Sequence, residues 1–226
     1  MNSLPIWEKT KIMTYKIIAS GSSGNAILLD NGILLDCGVP YKLIEPHLQD
    51  IKLVFASHVH KDHVNMQTIK KIHELRPTIR FCGGFWLEQV FLSNKIKSSK
   101  IDVLKHNKIY DYGRFKILPF PLIHDVKNYG LKIFDMYAKE KIIYAVDTNK
   151  IDHITAVDYN LYLIEGNYDE EKLENNIKSD IEKGIYSYGM RVRDTHLSIQ
   201  KASEWIMENA GANSKYEFIH QSKNNL

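Results

Sequence analysis

Two hydrophobic periods alternate along the chain. Short apolar runs rich in β-branched and aromatic residues occur at YKIIAS (15–20), NAILLD (25–30), GILLD (32–36), KLVFAS (52–57), FKILPF (115–120), LKIFDMYA (131–138), KIIYAV (141–146), LYLIE (161–165) and YEFIH (216–220), and they predict strands. Between them NMQTIKKIHEL, GFWLEQVFL, DEEKLENNI and SIQKASEWIMENAG carry apolar residues at helical spacing and predict helices. The last is bounded by Ser198 as N-cap and by Gly211 as the residue that ends it. Strands arrive in pairs or meanders before each helix, so a strictly alternating βαβ sheet fits poorly. Two sheets packed face to face with helices outside fit better, which is an α+β architecture.

Length and composition narrow the class only slightly. The 226 residues can bury a full core, and 44% hydrophobic with 25% charged residues is ordinary for a globular protein. One domain over 1–226 is expected, with 1–12 as an N-terminal extension and Met13 as an alternative start. No apolar run is long enough to span a membrane and the N-terminus lacks the apolar centre of a signal peptide, so a cytoplasmic protein is expected. Cys37 and Cys82 sit in apolar surroundings, LLDCG and IRFCG, and read as buried free thiols. A net charge of +3 permits a polyanionic substrate without arguing for one.

The chemistry concentrates in SHVHKDHVN (57–65), directly after an apolar run. His58, His60, Asp62 and His63 are all potential metal ligands. On an extended segment His58 and His60 would point to one side, and a turn toward the helix beginning near Asn65 would swing Asp62 and His63 onto a neighbouring position. One loop could thus serve two adjacent divalent sites. Imidazoles with a carboxylate suit zinc, and also manganese or iron.

At this point the chain resembles the metallo-β-lactamase fold hydrolases, over about Tyr15 to His220. The resemblance rests on SGSSGN (20–25) followed by ILLDCG with Asp36, HVHKDH (58–63), His124 in PLIHDVKNYG, Asp147 in YAVDTNK and His220 in YEFIHQS, in the family's order. It implies a four-layer αββα sandwich and two divalent cations, zinc first and manganese as the alternative. His58, His60 and His124 would hold one ion, Asp62, His63 and His220 the other, and Asp147 would bridge. Such a pair activates water for hydrolysis.

The superfamily covers many hydrolyses, so the fold alone does not choose among them. Glu165 ends an apolar run and His196 precedes a helix, contexts similar to a glutamate–histidine dyad in the phosphodiesterase branch that includes ribonuclease Z. There the histidine protonates the leaving oxygen and the glutamate orients it. With Asp62 these two are the candidate catalytic groups. The pattern is closest to the YycJ/WalJ-like branch, linked to DNA exonuclease activity, through Gly21 to Asn25, His124 with Asp125, and His220 followed by Asn224 and Asn225. It departs from that branch in THLSIQKA, in IEGNYD and in QSKNN.

Only 30 residues separate Glu165 from His196, too few for the tRNA-gripping arm of ribonuclease Z, and only 48 separate Asp147 from His196, too few for a β-CASP domain. A compact phosphodiesterase acting on DNA or RNA ends or on small or cyclic nucleotides is therefore expected. Arg191 and Arg193, in the aromatic and basic stretch YSYGMRVRDTH, are the candidate phosphate-binding residues. The resemblance also carries the expectation of a homodimer. An acyl hydrolase of lactonase, thioesterase or β-lactamase type, which would need no Glu165–His196 dyad, and a non-catalytic nucleotide-binding protein are the competing readings.

Overall fold

The structure, a computed structural model, describes residues 14–30 and 32–222. The expectations for 1–12, Met13, Asn224 and Asn225 fall outside the described residues.

The first half of the chain builds one sheet. Its strands are β1 (Tyr15–Ala19), β2 (Ala26–Leu29), β3 (Ile33–Leu35), β4 (Leu53–Phe55), β5 (Arg80–Gly84) and β6 (Ile101–Leu104), adjacent in chain order. The meander β1–β2–β3 is antiparallel, and β3 to β6 run parallel. The parallel strands need crossovers, which are supplied by α1 (Tyr41–Ile44), α2 (Met66–Leu75) and α3 (Phe85–Ser93). Asn65 caps α2 by accepting from the Thr68 amide at 3.1 Å.

The second half builds the other sheet from β7 (Tyr110–Asp111), β8 (Phe115–Leu122), β9 (Asn128–Asp135), β10 (Glu140–Ala145), β11 (Leu161–Glu165) and β12 (Lys215–Ile219). Strands β7 to β10 are antiparallel, whereas β10, β11 and β12 are parallel. Pro119 and Pro121 sit inside β8 without cost to the ladder, because β7 pairs only with Lys116 and Ile117 and the rest of β8 faces β9 alone. Helices α4 (Glu170–Glu182), α5 (Tyr188–Thr195) and α6 (Ile199–Asn209) intervene between β11 and β12.

Alternation along the strands divides the core into layers. Ile27, Leu35 and Phe55 of the first sheet meet Ile117, Leu131, Ile133 and Leu163 of the second in a dry interior. Leu34 and Val54 turn outward under Ile69, Ile72, Leu87 and Phe91, and Ile143, Tyr162 and Ile164 turn outward under Ala202, Trp205 and Ile206. The order helix, sheet, sheet, helix is the four-layer sandwich expected, and both cysteines are buried free thiols.

Strand β5 and helix α5 lie outside the predicted runs, and one predicted helix end is corrected. Strand β5, RFCGG, has two glycines and no alternation, so it reads poorly as a strand, yet it is held between β4 and β6 and buried. Helix α5 went unpredicted because Gly189, Val192 and Thr195 lower its propensity. Gly189 is there for packing, since a Cβ would come within 2.8 Å of Ile177 Cγ1 on α4. Ser198 does cap α6, accepting from the Lys201 amide at 3.1 Å and donating to Glu170 at 2.7 Å. The helix ends, however, where Ala210 turns extended, and Gly211 does not take a left-handed conformation. A side chain at Gly211 would instead strike Asp158 Oδ1 at 2.3 Å.

Candidate metal centre

Most candidate site residues lie just past the C-terminal ends of strands, along one edge of the sandwich. Asp36 follows β3, His58 to His63 follow β4, His124 follows β8, Asp147 follows β10, Glu165 ends β11 and His220 follows β12. Asp36, Asp147 and His220 adopt left-handed backbone angles, with φ of 57°, 53° and 55°. Each such conformation costs on the order of 1 kcal/mol, and here the cost re-aims a strand-end side chain into the cluster.

The histidine loop is not extended. It bends at His58 and Val59 and turns over Lys61 to His63, with the His63 and Val64 amides both bonded to the His60 carbonyl at 3.0 and 2.8 Å. The turn, rather than strand alternation, sorts its side chains. Asn25 and Gly38 seat it: the Asn25 amide donates to the Asp62 carbonyl at 2.7 Å, and a Cβ on Gly38 would lie 1.7 Å from that same oxygen. Gly38→Ala must therefore push the loop backbone out of register. It is expected to destabilise the protein by about 3 kcal/mol and to lose bound metal, read by denaturant melts and elemental analysis; retention of both would contradict the seating role.

Two groups of donors result. His58, His60, His124 and Asp147 offer atoms within 4.8 Å of one another, as do Asp62, His63, Asp147 and His220. In the first, His58 Nε2 lies 3.0 Å from His60 Nδ1 and 3.1 Å from Asp147 Oδ2, and His124 Nε2 lies 3.4 Å from His60 Nδ1. In the second, His63 Nε2 lies 3.0 Å from Asp147 Oδ2 and 3.4 Å from Asp62 Oδ2, and His220 Nε2 lies 3.3 Å from Asp62 Oδ2. Asp147 Oδ2 is common to both. The residues named from the resemblance thus lie together in two adjacent groups.

Four of the five imidazoles in these two groups have a partner on the outer nitrogen. His63 Nδ1 meets Asp36 at 2.6 Å, His124 Nδ1 meets the Thr195 carbonyl at 3.1 Å, His58 Nδ1 meets Ser57 Oγ at 3.0 Å and His220 Nδ1 meets Glu165 at 3.1 Å. Outer partners of this kind select the tautomer that leaves the inner nitrogen as a metal donor. Asp36 is itself held by the Ser57 hydroxyl at 2.9 Å and by the Tyr144 hydroxyl at 2.6 Å. Asn25, Ser57, Tyr144 and Asn167, whose Nδ2 donates to the His220 carbonyl at 2.7 Å, belong to the site although the sequence reading assigned them no role. Asn25 stands in the quoted SGSSGN and Asn167 in IEGNYD, but nothing local says which histidine each meets.

The charges fit a pair of cations. Burial keeps His58 neutral, lowering its pKa to about 4, and burial also lowers His124. Burial opposes charge on His63 and His220 as well, but Asp147 with Asp36 at His63, and Asp147 with Asp62 and Glu165 at His220, together outweigh it and raise both well above the usual imidazole range. Hydrogen bonds from His220 and His63 hold Asp62 well below the usual carboxylate range despite burial. Without metal, Asp147 and its neighbours find positive charge only by protonating histidines. Asp147 Oδ1 lies 3.0 Å from His220 Nδ1 and 3.3 Å from His196 Nδ1, yet no hydrogen bond is aligned on it. Four carboxylates, Asp36, Asp62, Asp147 and Glu165, converge here, and two divalent ions would balance them with the histidines neutral.

Beside these groups, Asp147, Glu165, His196 and His220 form a third. Glu165 is fully buried; its Oε1 accepts from His196 Nδ1 at 2.7 Å and its Oε2 from the Thr148 amide at 2.9 Å. Burial works against the charged ring of His196, but Glu165 and Asp147 outweigh it and raise its pKa to about 9. Of the two arginines, Arg191 reaches the rim through Asp125, Nη2 to Oδ2 at 3.1 Å, and Asp125 Oδ1 lies 3.1 Å from His124 Nε2. Arg193 is not brought to the cluster, being held by Glu174 at 3.1 Å on α4.

No protein-family model matches the chain. It is 25% identical over 230 residues to the exodeoxyribonuclease WalJ of Streptococcus pneumoniae, in two strains, an alignment covering 93% of this chain and 82% of that protein. In structure it superposes on the metallo-β-lactamase fold protein YhfI of Bacillus subtilis with a TM-score of 0.73 and 17% identity, covering 94% of this chain and 88% of that one. The chain has the metallo-β-lactamase fold. The short form of human tRNase Z superposes with a TM-score of 0.65 and 14% identity, covering 93% of both chains. In this member of the fold, helices α4 and α5 fill the interval between Glu165 and His196. Among the described residues no helix is long and apolar enough to cross a membrane.

Proposed function

We propose that this metallo-β-lactamase fold protein is a dinuclear metal-dependent phosphodiesterase acting on nucleic acid. The observation that carries the reading is the buried Glu165 holding His196 at 2.7 Å beside both donor groups. An acyl hydrolase has no need of that pair. The relation to an exodeoxyribonuclease supports the same reading.

His58, His60 and His124 would hold one ion and Asp62, His63 and His220 the other, with Asp147 shared. A nitrogen-rich set with carboxylates suits zinc, and manganese is the alternative. Two such ions, when bound, would lower the pKa of bound water and draw charge from a phosphoryl group. The protein's own part is geometric and protonic. Asp62, whose side chain is 25% exposed, is the carboxylate on the open side that orients the attacking water. As the bond from phosphorus to the leaving oxygen breaks, His196 gives that oxygen the proton on Nε2. Glu165 retains the hydrogen bond from Nδ1 throughout, so the ring stays aimed.

The test supplies zinc or manganese and compares end-labelled single-stranded DNA and RNA, cyclic nucleotides and bis-p-nitrophenyl phosphate with nitrocefin and a thioester. Hydrolysis of the phosphodiesters alone is expected. Turnover of nitrocefin or the thioester without phosphodiester cleavage would sink the proposal.

A further inference from the structure

Resting on the phosphodiesterase reading, we propose that Phe85 with Lys127 and Tyr188 with Arg191 form two cation–aromatic grips. They would flank the mouth of the metal centre and hold a single-stranded polynucleotide on either side of the scissile bond.

The mouth is marked by the partly exposed side chains of His60 and Asp125, each 33% exposed, with Asp62 and His196. On the second-sheet side, Tyr188 and Arg191 lie three residues apart on α5 and therefore on one helix face, while Gly189 and Val192 turn inward against α4. Tyr188 is 63% exposed and Arg191 reaches Asp125. On the other side, Phe85 opens α3 in the layer outside the first sheet and is 56% exposed. Lys127, two residues from Asp125 in the loop between β8 and β9, sets its ammonium 4.3 Å from the Phe85 ring centroid. That loop joins the two grips. The next residues bind it to the centre: Asn128 donates to the Asp147 carbonyl at 2.7 Å, and the Tyr129 amide to the Ser57 carbonyl at 3.3 Å.

Large aromatic rings left in water beside cations are what a strand of bases and phosphates requires. Rings stack on any base, and the cations answer the backbone. Because Phe85 follows a strand of the first sheet and Tyr188 lies on a helix of the second, a ligand stacking on both rings would extend across the centre. A strand with bases on both sides of the scissile bond meets that demand, so a polymer is the substrate class we propose.

The experiment pairs fluorescence anisotropy of a labelled 12-nucleotide single strand, on the metal-loaded protein, with kinetics on that strand and on bis-p-nitrophenyl phosphate. Phe85→Ala and Tyr188→Ala are each expected to weaken strand binding about 5- to 100-fold. The ratio of kcat/KM for the strand to kcat/KM for the small ester should fall accordingly. Phe85→Trp and Tyr188→Phe should restore binding, and Lys127→Ala should lower the slope of log affinity against log salt by about one. Unchanged strand binding, an equal loss on both substrates, or a change in oligomeric state without a change in binding would each overturn the proposal, the last marking a surface for a second copy. If the wild type binds the strand through these residues but cleaves no phosphodiester, the grips stand and the reaction assigned above is what fails.

Discussion

Asp147→Asn is expected to bring the protein below one divalent ion per chain and to cut phosphodiester turnover by about three orders of magnitude, the scale on which charge-stabilising groups act in catalysis. The asparagine keeps the shape but removes the charge shared by the two donor groups. Asp147 Oδ2 lies 3.1 Å from His58 Nε2 and 3.0 Å from His63 Nε2, so the first group loses its only carboxylate and the second keeps Asp62 alone. Losing an outer partner of a ligand already costs about 10- to 100-fold in metal affinity, and losing the shared ligand should cost more. Elemental analysis after dialysis, with calorimetric titration of the metal-free protein, reads the result. Two ions retained at wild-type affinity would remove Asp147 from the centre.

His196→Ala should have the opposite signature: metal content unchanged and turnover lowered about 10²- to 10⁴-fold, the range for a general acid. The leaving group provides a control that a structural role would not reproduce. The p-nitrophenolate of bis-p-nitrophenyl phosphate departs readily without a proton, whereas the alkoxide of a nucleic-acid strand does not. The loss should therefore be much larger on DNA or RNA than on the small ester. Glu165→Gln, which keeps an acceptor for Nδ1 but not the charge, should fall between wild type and His196→Ala on the strand. Equal losses on both substrates, or loss of metal, would show that His196 supports Asp147, 3.3 Å away, rather than the leaving oxygen.

Much of this was legible in one dimension. HVHKDH places four donors within six residues, and a β-run before it implies a strand end, so a metal-binding loop followed from local sequence. The cap at Ser198 was equally local, and the structure adds Asn65 and Asp169, each a short polar side chain bonded to an amide three residues on. The two-sheet sandwich followed from counting strand pairs between helices.

Other features had no local signal. Tyr144 reads as one more core aromatic until its hydroxyl is seen on Asp36, 108 residues away. Arg191 and Arg193 are two residues apart and look equivalent, yet on α5 they point to different sides, one to Asp125 at the rim and the other to Glu174. Phe85 lies 42 residues from Lys127, and only the seating of the β8–β9 loop against α3 brings them together.

The sequence by itself determined most of the elements, the cap at Ser198 and the metal-binding character of the HVHKDH loop, because periodicity, capping and a dense local motif act over a few residues. The tertiary structure alone decided how Asp147 comes to be shared, which partners meet the outer nitrogens of the imidazoles, and which basic and aromatic residues reach the mouth. Those depend on strand order and on left-handed turns at the strand ends, which arise when distant segments pack and their buried polar groups must find partners.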